Sequence, residues 1–414
     1  MDTIIKFLNN DPDYKPLRAT VVGSGGTGKS FIINTLISLV RKYTQCNNSV
    51  KVAAPTGGAA YSVQGCTLHR CLSLSVNTKT LSEPLNEVRQ HELSQKLTEM
   101  LMLIIDERSM LNSKLLAASE RNIRHCVYGQ QNQNETWGGL PVVLLFGDDY
   151  QLFPVIENGA IEGYHRRTNA KIHKKNYKQT SEQLLESQGH DLFIDDLTQN
   201  VFTLTDNYRT VEDPVFGQIL ERLRIGRATK EDANRLLEQG LFFQTQENQA
   251  KIVNDKKTVY LFTRKIPRNE KNKQKVVELS NRTQTPVAKL KCKWKSLSAQ
   301  SDGKKIADRK HFRDQKNIVL GMDYCVGAPV SIEGMNIVPE AGLYNGSRGW
   351  LIDIVYNTVE GPNNKMGNHL PLYMVVDFPG LRLTGAEPWD EDNPTVSYYT
   401  MLFMMIMLCI EIIC

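Results

Sequence analysis

VVGSGGTGKS, residues 21–30, is the stretch on which the fold turns. Its glycines fit two nucleotide-binding patterns at once. Gly23, Gly25 and Gly28 stand at the spacing of the dinucleotide fingerprint GxGxxG, while Gly23, Gly28, Lys29 and Ser30 spell the triphosphate loop GxxxxGK[ST]. Residues 17–22 before the loop read as a buried strand. SFIINTLISLVRKY, beginning at Ser30, carries apolar residues on more than one helical face. A dinucleotide site needs a carboxylate at the end of the second strand, roughly 20 residues past the glycines, to hold the ribose. That strand, residues 49–54, ends at Ala53, Ala54 and Pro55, which offer none. A triphosphate site has what it needs. Backbone amides of Gly25, Gly26, Thr27, Gly28 and Lys29 surround the phosphates, Lys29 neutralises them, and the Ser30 hydroxyl reaches Mg2+.

Working outward, residues 100–105 (MLMLII) and 140–146 (LPVVLLF) are unbroken apolar runs that end at Asp106 and at Gly147 and Asp148. Four such strands, alternating with helical stretches and handing polar residues to the loops at their carboxyl ends, predict a parallel sheet covered on both faces. Ligands of such sheets bind at the carboxyl edge. An isolated Asp-Glu pair is ordinarily a solvated turn. Asp106 and Glu107 instead follow a buried strand downstream of a phosphate loop, where one carboxylate would hold the metal and the other polarise water.

The chain has 414 residues, 41% hydrophobic and 23% charged, enough for two or three domains with ordinary cores. Net charge is +5, but residues 264–316 hold seventeen Lys or Arg against five Asp or Glu, so the remainder is net acidic. That segment reads equally as a solvated insertion or a nucleic-acid surface. The eight cysteines never form CxxC and lack regular spacing, which predicts reduced thiols and no structural zinc. The amino terminus has no basic-then-apolar signal, and no apolar run reaches the length of a membrane span. Strand-helix regularity weakens past Pro154, and residues 160–200 are polar without a clear period. A second region from residue 203 has a helical stretch at 214–237 and strands at 258–262, 325–332, 349–355 and 372–377.

In this order the motifs resemble those of superfamily one DNA helicases, specifically the Pif (petite integration frequency) family and its RecD-like relatives. GSGGTGKS is similar to motif I, APTGGAA (54–60) to motif Ia, and GCTLHR (65–70) to the block after it. IIDERSM resembles motif II, typically DExSM; FGDDYQLFPV resembles motif III, typically GDxxQLPPV; LTDNYRT (204–210) resembles motif IV. ILERLRIGRATKEDANRLL and GLYNGSRGWL look like segments of the second motor domain. The resemblance covers most of residues 15–380.

It implies an α/β P-loop NTPase fold: a first RecA-like motor domain over residues 1–202, then an incomplete second one over 203–400 with a small β-rich insertion and the basic segment. It implies ATP as the nucleotide, Gln151 as sensor of its terminal phosphate, and Arg209 as the cation that stabilises charge on the phosphoryl oxygens. Single-stranded or forked DNA is the implied partner, gripped by small, hydroxyl and basic residues: Thr56, Gly57, Thr67 and His69, then Asn345, Gly346, Ser347 and Arg348. The other reading of His69 is a buried helix-end histidine. The implied protein is a monomeric, 5′ to 3′ helicase of DNA repair, recombination or telomere maintenance, nuclear or mitochondrial, without a membrane. A DNA-binding ATPase that does not unwind, and a P-loop regulatory ATPase with a protein partner, are the alternatives.

Departures accompany the likeness. Phe153 replaces the usual first proline of motif III, and Asp149 and Tyr150 stand where the family often has two aromatics. Blocks resembling HKSQGxT and VALSR are not found after Asp392. The chain passes instead into MLFMMIMLCIEIIC, residues 401–414, which reads as a truncation relative to the family, as a core strand or helix, or as a short anchor.

Overall fold

The computed structural model describes residues 1–76, 78–126, 134–152, 154, 180–238, 240, 245–247, 259–291, 321–332, 336–338, 341–355, 373–381, 388–390, 393–397 and 410–412. The chain divides into two units, Met1–Leu236 and Leu237–Cys414.

The first unit is built in the order α1 (Asp2–Leu8), β1 (Leu17–Gly23), α2 (Lys29–Thr44), β2 (Val50–Ala54), α3 (Gly57–Ser62), β3 (Cys66–Thr67), α4 (Leu68–Cys71), α5 (Thr78–Leu81), α6 (Glu87–Leu97) and β4 (Met102–Ile105). It continues with α7 (Ser113–Cys126), β5 (Val142–Gly147), α8 (Ser181–Asp191), β6 (Val201–Leu204), α9 (Pro214–Arg224) and α10 (Lys230–Glu238). Six strands form one sheet in the order β3-β2-β4-β5-β1-β6, every pairing parallel.

The unbroken apolar runs have a simple cause. Successive side chains of a strand point to opposite faces, so a strand covered on both sides must be apolar at every position. On β4, Leu103 and Ile105 pack into one core with Leu93, Leu116, Ile123 and Trp137. Met102 and Ile104 face the other, with Ile33, Val40 and Val21. β5 divides likewise, Val143 and Leu145 to the first core, Val142, Leu144 and Phe146 to the second. The sheet is the expected α/β, RecA-like arrangement.

Two helical readings differ from the structure. Residues 181–191, seen as aperiodic, are helix α8, opened by a capping box in which Thr180 accepts from the Gln183 amide and the Gln183 side chain accepts from the Thr180 amide. Its buried residues include Ser187, Gly189 and His190, small or polar groups that give no apolar period. The stretch 214–237 is two helices, α9 and α10, parted at Gly226, where φ is 71°. β6, at Val201–Leu204, pairs with β1 over Thr20 to Gly23, and residues 203–236 fall in the first unit.

In the second unit, α11 (Lys265–Thr283) precedes the hairpin β7 (Ala288–Lys291) and β8 (Gly321–Tyr324). β9 (Pro329–Ile332), β10 (Arg348–Val355), β11 (Tyr373–Asp377), β12 (Pro388–Asp390), β13 (Asn393–Ser397) and β14 (Ile410–Ile412) follow. A four-stranded sheet, β11-β10-β9-β14, is antiparallel throughout, with a core that includes Val276, Val330, Ile332, Leu351 and Phe378. This is the β-rich part of the expectation. Residues 259–262 are not a strand. Within the apolar tail, Ile410–Ile412 pairs with β9 and adds an edge to the sheet. Among the described residues no helix is long and apolar enough to cross a membrane, and none of the five described cysteines forms a disulfide. Phe153 and residues 292–316 of the basic segment lie outside the described residues.

Packing of α8 on α7 depends on Gly189, where an added Cβ would come within 1.8 Å of the Ser113 carbonyl oxygen. Gly189→Ala is therefore expected to destabilise the first unit by about 1–3 kcal/mol, the range of overpacking changes, read as a lowered melting temperature.

Candidate functional site

Three strand ends and one irregular segment meet at the carboxyl edge of the parallel sheet, around a cavity of about 470 Å³. The loop between β1 and α2 forms its floor. Gly26 and Gly28 hold φ at 92° and 88°, in the left-handed region that glycine enters without steric cost. Lys29 opens α2, and its Nζ donates to the carbonyls of Gly23 at 2.7 Å and Ser24 at 2.9 Å. Thr27 is buried and its hydroxyl donates to Ser24 O at 2.9 Å, so it supports the loop; Gly23 is small because a Cβ would meet that hydroxyl at 2.4 Å. Gly25, Gly26, Gly28, Lys29 and Ser30 line the cavity.

Asp106 and Glu107 follow β4 and line the same cavity. The Asp106 amide donates to Ala53 O of the neighbouring strand at 2.9 Å, and the residue is 8% exposed. Glu107 is held at φ 53°, ψ 49°, a left-handed conformation costly for a residue with a Cβ. Gln151 and Arg209 complete the lining.

Arg209 reaches the cavity because its segment docks on the glycine loop. The Tyr208 amide donates to Gly26 O at 2.9 Å, and Asn207 Nδ2 donates to Gly25 O at 3.0 Å. Asn207 Oδ1 in turn accepts from the Arg209 amide at 2.9 Å. The approach is close enough that a Cβ on Gly26 would lie 2.5 Å from that of Arg209.

Burial sets the protonation of these groups. It pushes the Asp106 carboxyl up from its ordinary range, with the Glu107 amide and Lys29 opposing. It pushes Glu107 up as well, and the neighbouring Asp106 adds to the effect. Lys29 is lowered by burial, although Asp148, Asp106 and Glu107 favour its charge. For Asp148, burial works upward, but hydrogen bonds from Arg224 and the Tyr150 amide outweigh it and the net direction is down.

The remaining sequence candidates are not among the residues that line this cavity. Thr56 and Thr67 cap α3 and α4, accepting from the amides of Ala59 at 3.3 Å and Arg70 at 3.4 Å. Gly57 is buried, and His69 is partly buried with its imidazole lowered by that burial. In the second unit Asn345, Gly346 and Arg348 are exposed on a turn with Gly346 at φ 98°. Ser347 is buried, donating to Gly342 O at 2.7 Å and accepting from the Tyr344 amide at 2.8 Å. Asn207, Arg108, Arg224 and Phe31, the last also on the cavity wall, were not singled out by sequence. Their only signal was proximity to a motif.

Residues 6–194 match the model of the PIF1-like helicase family. The chain is 35% identical over 135 residues to the ATP-dependent DNA helicase RRM3 of Saccharomyces cerevisiae, covering 32% of this chain and 18% of that protein. It is 26% identical over 207 residues to the ATP-dependent DNA helicase PIF1 of Emericella nidulans, covering 50% and 24%. The matches thus span about a fifth to a quarter of these relatives' length. Among solved structures, Pif1 helicase from Candida albicans superimposes with a TM-score of 0.56 at 20% identity, over 95% of this chain and 80% of that one. Bacteroides Pif1 in complex with ADP-AlF3 and single-stranded DNA superimposes with a TM-score of 0.53 at 21% identity, over 92% and 73%. Residues 6–194 are thus similar to the PIF1-like helicase family, and the chain shares its fold with those solved structures.

Proposed function

We propose that the chain hydrolyses ATP with Mg2+ and couples hydrolysis to 5′ to 3′ movement along single-stranded DNA and unwinding of forked duplexes. The observation that carries this reading is the convergence of Lys29, Asp106, Glu107, Gln151 and Arg209, from four separate segments, on one cavity above a phosphate loop. The loop amides and Lys29 would hold the phosphates, and Arg209 would stabilise charge spreading over the phosphoryl oxygens. Glu107 would orient and deprotonate the attacking water, a role suited by a carboxyl raised toward working pH. Gln151, able both to donate and to accept, would register the terminal phosphate.

The donor set fits a hard divalent cation: the Ser30 hydroxyl and the buried Asp106 carboxylate border the same cavity. When bound, Mg2+ would offset phosphate charge, and its presence would favour the ionised form of Asp106 that burial disfavours.

For DNA we propose Thr56, Gly57, Thr67 and His69 in the first unit, and Asn345, Gly346, Ser347 and Arg348 in the second. A threonine that accepts an amide bond at a helix start retains its O–H as a donor to phosphate. Exposed Arg348 supplies the charge that a backbone contact uses. The buried Ser347 serves the turn that presents its neighbours. The setting we propose is nuclear or mitochondrial DNA maintenance, with the chain acting as a monomer; what supports it is the likeness to ATP-dependent DNA helicases.

ATPase assays of the purified chain are expected to show Mg2+-dependent hydrolysis that rises on addition of single-stranded DNA and is abolished in Lys29→Ala. Hydrolysis that is indifferent to DNA and survives Lys29→Ala would refute the assignment. A strand-displacement assay alongside separates an unwinding enzyme from an ATPase that only binds DNA.

The pH profile gives a second test. Glu107 acts as a carboxylate, so the rate falls as pH drops through its folded-state pKa, which burial has raised; the acid limb should lie above that of an ordinary glutamate. Glu107→Gln is expected to remove that limb and lower kcat by about 10²–10⁴-fold, the usual worth of a general base, with ATP binding retained.

A further inference from the structure

The three residues immediately before Gln151 are each held by an arginine. Arg224, the last residue of α9, places Nη2 at 2.6 Å and Nε at 3.2 Å from Asp148 Oδ1, with Nε also 3.2 Å from Oδ2. The same guanidinium lies over the Tyr150 ring, its central carbon 4.5 Å from the centroid. Arg108 grips Asp149 in a two-bond fork, Nε to Oδ1 at 2.8 Å and Nη2 to Oδ2. Arg108 directly follows Glu107 in the chain, is buried, and is backed by Phe193, 5.5 Å from its guanidinium carbon. Its stem crosses Gly147, where a Cβ would meet Arg108 Cγ at 2.7 Å.

We infer that Arg108 and Arg224 are positioning residues that hold the Gln151 loop in register with the hydrolytic carboxylates on one side and the Arg209 segment on the other. The inference rests on the ATPase reading above. Arg108 joins the loop to Glu107 by one peptide bond. Arg224 joins it to the helix that follows Arg209. Neither guanidinium lines the cavity, so both act through the loop and not on the nucleotide. The geometry suits that task. A planar fork on a carboxylate fixes orientation as well as distance, and a loop held at three successive residues places the fourth with little freedom. The pairing also explains two of the three departures in motif III: Asp149 is the acidic partner of Arg108, and Tyr150 is the platform for Arg224.

Misplacement of a reacting group by a fraction of an ångström lowers turnover while leaving ground-state binding intact. The whole chain, assayed with saturating single-stranded DNA and Mg2+, supplies the test. Asp149→Asn is expected to lower kcat about tenfold with the KM for ATP within about twofold of wild type, the pattern of an interaction lost from the transition state alone. The exchanged pair, Arg108→Asp with Asp149→Arg, is expected to return kcat to within about threefold of wild type, since coupled residues show non-additive effects. Arg224→Gln is expected to follow Asp149→Asn, and Arg224→Lys, which keeps the charge without the fork, to fall between it and wild type.

Wild-type hydrolysis that is lost in Lys29→Ala, together with an unchanged kcat in Asp149→Asn, would overturn the positioning role while leaving the ATPase reading intact. A kcat loss in Asp149→Asn that the exchanged pair does not recover would overturn it also. A wild-type chain without Lys29-dependent hydrolysis would remove the ATPase reading and this inference with it.

Discussion

Backbone amides can surround a phosphate only if the chain turns sharply between a strand and a helix, and here that turn needs left-handed backbone at Gly26 and Gly28. The same lack of a Cβ serves a second purpose. Gly26 is the surface on which Asn207, Tyr208 and Arg209 sit, through the amide of Tyr208 and the side chain of Asn207. A side chain at Gly26 would both strain the loop and push the Arg209 segment away. The glycine loop and the arginine that faces it are thus one assembly.

The electrostatics follow from burial. Three carboxylates, Asp106, Glu107 and Asp148, stand near two cations, Lys29 and Arg209, in a partly dry site. Charges brought out of water depend on partners. Asp148 has Arg224 and remains ionised. Asp106 and Glu107 have only Lys29 among the described residues and are pushed toward the neutral form. A divalent cation with a triphosphate would change that balance, which gives a physical reason for ligand binding and protonation to be coupled in such a site.

How much was legible depended on whether the information was local. The four central strands, β1, β2, β4 and β5, could be read within two residues because a strand buried on both faces is apolar at nearly every position. Lys29, Ser30, Asp106 and Glu107 could be read because each sits at a strand end whose chemistry is local. Helix α8 could not, since it packs through Gly189, Ser187 and His190, which carry no helical hydrophobic signal. The extent of the first unit is not local information either. Pairing of β6 with β1, a contact between distant parts of the chain, adds Val201–Leu204 to the first sheet.

The amino-acid sequence by itself determined the phosphate loop, the parallel strands and the acidic pair, because steric freedom at glycine and two-sided burial act within a few neighbouring residues. Only the tertiary structure decided what holds the Gln151 loop. Asp149 looked like a departure from a motif until it was found on Arg108, 41 residues away, and Asp148, which fits the motif, meets Arg224, 76 residues away. Opposite charges pair across space once the backbone has brought them together, and no spacing along the chain records which pairs will meet.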